Sequence, residues 1–173
     1  MNKSKDIKQI DPYLKIGEEV TIIDRSQLLS ITPEQAKKIK SLIIENQTID
    51  NEFLLIWDKN FNKKEFDYLS FKHCCFPCVT GIFCGMLVHN LEVIDCGLDE
   101  DDVYDIIHGV NPYIINHLSL AMNSLSDPEG NIIDLFIRYV SGCWSASIDL
   151  SGNCFTDEFK SEVLQMSSLS FYF

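Results

Sequence analysis

The sequence predicts an α+β fold, a single domain with a mainly antiparallel sheet and about three to four helices. Three observations lead there. A chain of 173 residues that is 46% hydrophobic is long and apolar enough to bury one core. Extended runs rich in branched and aromatic residues recur on either side of turn-prone sequence, as with Glu52 to Trp57, Asp58-Lys59-Asn60 and Phe66 to Phe71, which reads as a hairpin. Helical patterns interleave with these runs irregularly, which favours α+β over a doubly wound sheet. Residues 1–14 read as a flexible N-terminal arm and 15–173 as the globular domain. No internal repeat or low-complexity linker is evident.

Glu18 to Asp24 opens the domain as a strand carrying Val20, Ile22 and Ile23. Thr32-Pro33-Glu34-Gln35 then supplies an N-cap hydroxyl, a proline at the first helical position and a capping-box glutamine. The helix it starts is predicted to reach about Asn46, burying Ala36, Ile39, Leu42 and Ile43. After the hairpin, Val79 to Phe83 and Met86 to Ile94 read as strands. Asp99 to Asp102 place carboxylates in the first turn of a helix that Gly109 can end. Asn111-Pro112 begins another, with Ile114, Leu118, Ala121, Met122 and Leu125 on one side.

Asn131 to Val140 alternates Ile133, Leu135, Ile137 and Tyr139 with polar neighbours and reads as a strand, its Arg138 expected beside carboxylates of a neighbouring strand. Ser145 to Leu150 is a further strand and Ser151-Gly152-Asn153 a turn. Thr156 with Asp157 and Glu158 can start a last short helix. Leu169, Phe171 and Phe173 then alternate as a terminal strand with one buried face.

The cysteines offer the most tempting chemistry. Cys75 and Cys78 have the C-x-x-C spacing that presents two sulfurs to a zinc ion, and His73, Cys84, His89 and Cys96 lie near them in sequence. The second half of that site falls in an apolar run, where a cysteine serves as a small hydrophobe. The same pair could be a dithiol, but no amphipathic helix follows to lower the thiol pKa. Signatures for nucleotide, phosphate or acyl-transfer sites are absent, and Asp99-Glu100-Asp101-Asp102 lacks the alternation and glycine of a calcium loop. The sequence therefore predicts no catalytic residue, no metal ligand and no cofactor, and the protein is not expected to be an enzyme.

Charge is more informative. The segment from Met1 to Lys72 holds 12 basic against 12 acidic residues, whereas His73 to Phe173 holds 2 against 14, so the net charge of −12 belongs to the second part. Such a bias disfavours nucleic acid and anionic membrane and speeds encounter with a basic protein. If Val103, Ile106 and Ile107 are buried, helical spacing sets Asp101, Tyr104, Asp105 and His108 together on the opposite side. An aromatic among acids is what a docking face uses. Asp99, Asp101, Asp102, Tyr104, Asp105 and His108 are thus the predicted partner-binding residues.

The function these features predict is that of an acidic cytoplasmic protein that neutralises a basic partner. Its most concrete form is an immunity protein that covers the active site of a bacterial toxin, such as a nuclease. A secretion chaperone, or a zinc or thiol protein using Cys75 and Cys78, are the alternatives. The N-terminus has no apolar stretch of the kind an export signal needs, and no run is long and apolar enough to span a bilayer.

Overall fold

Helices separate every pair of successive strands along the described chain. A computed structural model describes residues 19–22, 24–77, 80–111, 113–140, 146–165 and 169–173. Strand β1 (Glu19–Ile22) is followed by α1 (Arg25–Ser30) and α2 (Pro33–Lys38), then β2 (Ser41–Glu45), α3 (Asn51–Phe61), β3 (Glu65–Lys72) and α4 (Thr80–Phe83). The second half runs β4 (Leu87–Ile94), α5 (Glu100–Gly109), β5 (His117–Ser119), α6 (Asn131–Val140), β6 (Ser147–Asp149), α7 (Asp157–Val163) and β7 (Ser170–Tyr172). The strands form one parallel sheet whose spatial order is β1 to β7, the order of the chain.

This corrects the α+β expectation. The protein is α/β, with seven parallel strands and seven helices among the described residues, where the sequence predicts a mainly antiparallel sheet with about three to four helices. Since strand order never reverses, the sheet lacks the switch point of a doubly wound fold. Right-handed crossovers between successive neighbours keep the helices on one face. Consecutive helices accordingly touch one another from α2 to α7. The architecture is a solenoid in which each strand and its helix form one coil.

Each misread element has a local cause. The Glu52 to Trp57 run is helix α3: Asp50 caps it by accepting from the Phe53 N–H at 2.9 Å, and Phe53, Ile56, Trp57 and Phe61 are buried at helical spacing. In place of the hairpin, β3 pairs in parallel with β2 and β4. Asn131–Val140 is helix α6, because Ile132, Ile133, Leu135 and Phe136 are all buried and Asp127 accepts from the Ile132 and Ile133 N–H groups. The helix at Thr32 ends at Lys38, so that Leu42 and Ile44 enter β2, and the run after Asn111 contains β5. Val79 lies outside the described residues, and Thr80–Phe83 is helical.

A repeat does exist. Leu42-x-Ile44-x-x-Gln47, Leu69-x-Phe71-x-x-Cys74, Leu91-x-Val93-x-x-Cys96, Leu118-x-Leu120-x-x-Asn123 and Ile148-x-Leu150-x-x-Asn153 occupy equivalent places, two apolar residues buried under the helices and a polar or thiol residue after the strand. This is the spacing of the strand segment in leucine-rich repeats. Before the last position the backbone is left-handed every time, at Asn46, His73, Asp95, Met122 and Gly152 (φ 55°, 54°, 51°, 61° and 69°). That conformation turns the next side chain back beneath the sheet.

There the side chains form a ladder. Asn123 Nδ2 donates to Val93 O at 2.7 Å and Asn153 Nδ2 to Leu120 O at 2.9 Å, while Cys96 Sγ reaches Phe71 O at 3.6 Å and Cys74 Sγ reaches Ile44 O at 3.5 Å. Each acceptor is the second apolar residue of the preceding repeat. Contact with Cys74 and burial push the Cys96 thiol up, so it stays protonated and able to donate.

The core lies between the sheet and the helices. Trp57 stacks or tilts against Phe53, Phe61, Phe66 and Phe71 with ring centroids 4.9–6.2 Å apart. At Gly109 a Cβ would stand 2.7 Å from the Phe83 carbonyl, so only glycine lets the end of α5 approach α4 this closely. Among the described residues no helix is long and apolar enough to cross a membrane.

Candidate functional site

Two surfaces are candidates for function, and the first is the sheet face turned away from the helices. Strand pairing aligns Glu19, Ser41, Tyr68, Asn90, His117, Ser147 and Ser170 in one row across all seven strands. Thr21, Ile43, Ser70, Glu92, Ser119, Asp149 and Tyr172 form the row beside it. Alternate residues of a strand share a face, so the apolar partners that build the core leave this side polar by construction.

The face is internally hydrogen-bonded. Glu92 accepts from Tyr68 Oη at 2.6 Å and Ser70 Oγ at 3.1 Å, with Lys72 Nζ at 3.5 Å. Burial, aided by the Glu92 carboxylate, pushes the Tyr68 hydroxyl up to about 12, so it acts as a donor at neutral pH. Ser119 Oγ donates to Asp149 Oδ2 at 3.2 Å, and His117 Nδ1 lies 2.7 Å from Ser147 Oγ. A histidine beside a hydroxyl can activate it, but acyl transfer also needs donors aimed at the developing oxyanion. The neighbouring row brings the Asp149 carboxylate instead. What the arrangement offers is an array of fixed donors and acceptors, most of them half-buried and two of them, Ser70 and Ser119, buried.

The second surface is helix α5, which the sequence singled out. Asp99 and Asp102 hold the helix rather than face outward as a pair: Asp99 Oδ1 accepts from the Asp102 N–H and Asp102 Oδ2 from the Asp99 N–H, both at 3.0 Å. Asp101, Tyr104 and His108 do come together. The Tyr104 and His108 rings lie 3.8 Å apart between centroids, with His108 Nδ1 2.8 Å from Tyr104 O, and Tyr104 is 53% exposed. They line a groove of about 520 Å³ with Glu100 on α5 and with Asn131, Ile132, Asp134 and Leu135 on α6. Asp105 is not among its lining residues. The α6 wall escaped the sequence reading because that segment was read as a strand; the Asp127 cap and the buried pair Ile132 and Phe136 are the helical signals it carries.

The Asp102 carboxyl is raised above the usual carboxylate range, first by burial and then by the like charges of Asp99, Asp105 and Asp101, against the hydrogen bond from Asp99. A raised folded-state pKa gives a stabilising contribution that is present in acid and lost as pH rises through that pKa. Asp102→Asn keeps an oxygen to accept the capping bond and is therefore expected to raise the melting temperature at pH 7 but not at pH 3. Equal or lower melting of the variant at pH 7 would refute this.

The thiols divide between roles. Cys74 and Cys96 belong to the ladder, Cys75 and Cys84 are exposed, and Cys78 lies outside the described residues, as does the Arg138 side chain. His73 pairs with Asp95 at 2.7 Å, and His89 with Glu65 at 3.0 Å. Among the described residues no three His, Cys, Asp or Glu side chains are grouped to hold a metal ion. No known protein family model matches the chain, and a search of curated proteins finds no similar sequence.

Proposed function

We propose that the chain is a cytoplasmic binding protein for a basic protein partner and performs no chemistry itself. The observation that carries this reading is the polar sheet face, two aligned rows of side chains that cross the seven described strands on the side away from the core. Solenoids use such extended faces for recognition. Its formal charges are Glu19, Glu45, Glu92 and Asp149 against Lys72, which suits a partner of opposite sign and agrees with the net charge of −12. The most concrete form of the proposal is an inhibitor that covers the basic active-site cleft of a toxin, such as a nuclease. Inhibition would be steric and electrostatic.

A partner recovered by pull-down allows the test. Reversing charge with Glu45→Lys plus Asp149→Lys is expected to slow association by roughly tenfold at low salt, and wild-type association is expected to slow as salt rises. Association insensitive to both salt and the double variant would exclude the sheet face as the docking surface.

A further inference from the structure

We propose that Cys74 and Cys96 are a dithiol that peroxide oxidation closes into a disulfide across the coils of β3 and β4, a modification site in the scaffold that is independent of the partner reading above. Three features bring the two sulfurs together. Strand pairing sets Lys72 opposite Ile94, and each chain then takes the same step through a left-handed residue, His73 or Asp95, to reach its cysteine. Neighbouring strands stand about 4.7–4.9 Å apart, inside the range of about 4.4–6.8 Å between Cα atoms that a disulfide spans. The two coils are also clamped beside the thiols, where the His73 N–H donates to Ile94 O at 3.1 Å and His73 Nδ1 lies 2.7 Å from Asp95 Oδ2. Cys96 Sγ leans toward the β3 coil, 3.6 Å from Phe71 O, and the two thiols are in hydrogen-bond contact.

The pair is chemically unequal. The Cys74 thiol is lowered, first by its hydrogen bond with Cys96 and then by backbone hydrogen bonds at Gln47 and Lys72 and the nearby His73, against the effect of burial. Cys96, beside Asp95, keeps its proton. Cys74 is therefore the attacking sulfur and Cys96 the resolving one. The Cys74 thiolate attacks one oxygen of hydrogen peroxide; an S–O bond forms as the O–O bond breaks, and the departing hydroxide takes up a proton to become water. Cys74 then swings away from Ile44 O, 3.5 Å from its sulfur, and the Cys96 sulfur gives up its proton and attacks the sulfenic acid. The S–S bond forms, the S–O bond breaks and a second water leaves. Two thiols have lost two electrons and two protons, and one peroxide has become two waters. The product ties the two longest strands together and removes both thiol donors from the ladder.

The test compares wild type with a variant in which Cys75, Cys78, Cys84, Cys143 and Cys154 are all serine, each checked for folding by circular dichroism. The folded proteins are treated with hydrogen peroxide, unfolded, alkylated and cleaved after glutamate, which puts Cys74 and Cys96 on separate peptides between Glu65, Glu92 and Glu100. A linked peptide lacking two hydrogens is expected, with alkylated Cys96 falling about tenfold and returning on reduction with dithiothreitol. Fragmentation of the linked wild-type peptide should place the bond at Cys74. Cys74→Ser is expected to abolish the link to Cys96, and Cys75→Ser to leave it. Oxidation of Cys74 to sulfinic acid without a link, a bond from Cys96 to another cysteine, or linkage that appears only in urea would each overturn the proposal.

Discussion

Asn123→Ala is expected to destabilise the protein by about 3–5 kcal/mol, a large share of the roughly 5–15 kcal/mol that holds a domain folded. Asn123 is 3% exposed, and its side chain serves five backbone groups: Oδ1 accepts from the Cys96 N–H at 2.8 Å and the Leu98 N–H at 3.4 Å, while Nδ2 donates to Val93, Leu120 and Ala121 carbonyls at 2.7–3.0 Å. Alanine strands these groups where water cannot replace the amide, and each unsatisfied buried group costs on the order of 1–3 kcal/mol. Asn123→Asp keeps the acceptor but loses the donor and buries a charge, so it should fare no better at neutral pH. Asn153, which is only part-buried, should tolerate alanine with less loss. Urea unfolding followed by circular dichroism decides the matter; a loss below about 1 kcal/mol for Asn123→Ala would mean that the ladder is not a structural support.

Trp57→Ala is expected to cost about 3–5 kcal/mol as well, by a different route. The indole joins the α3 residues Phe53 and Phe61 to the sheet residues Phe66 and Phe71, so removing it opens a cavity between two layers that cannot close without moving the helix. Trp57→Phe should recover more than half of the loss, because it keeps a ring at the centre of the cluster. If the alanine variant unfolds at the same urea concentration as wild type, the cluster is packed too loosely to matter.

What was legible in the sequence was local. The capping signals at Thr32 and Asp99, the glycine at 109, the strands at Phe66 to Phe71 and Met86 to Ile94, and the last helix at Thr156 all stand in the structure. What failed was periodicity in short apolar runs. In Asn131–Val140 apolar residues occupy both parities, so an alternation of two and a helical stripe fit equally well, and the cap that decides between them sits four residues upstream at Asp127. Missing that helix also hid the Asp134 and Leu135 wall of the α5 groove. The repeat escaped because its final position changes identity, Gln47, Cys74, Cys96, Asn123 and Asn153, at uneven spacings. Cys96 thus counts by sequence as a neighbour of the Cys75–Cys78 zinc candidate, when a weak thiol donor turned under the sheet explains it.

A chain whose strands lie side by side in the order of synthesis has no distant closure to complete. Every coil can dock as soon as the one before it is in place, which keeps the entropy of loop closure small and favours rapid growth from any starting point. The longest pairing, between the eight-residue strands β3 and β4, is the natural place to begin. The same arrangement weakens all-or-none behaviour. Coils at either end, where among the described residues β1 and β7 each pair on one side only, can open while the centre stays closed, so a single unfolding free energy describes this molecule only where every probe along the array reports the same transition.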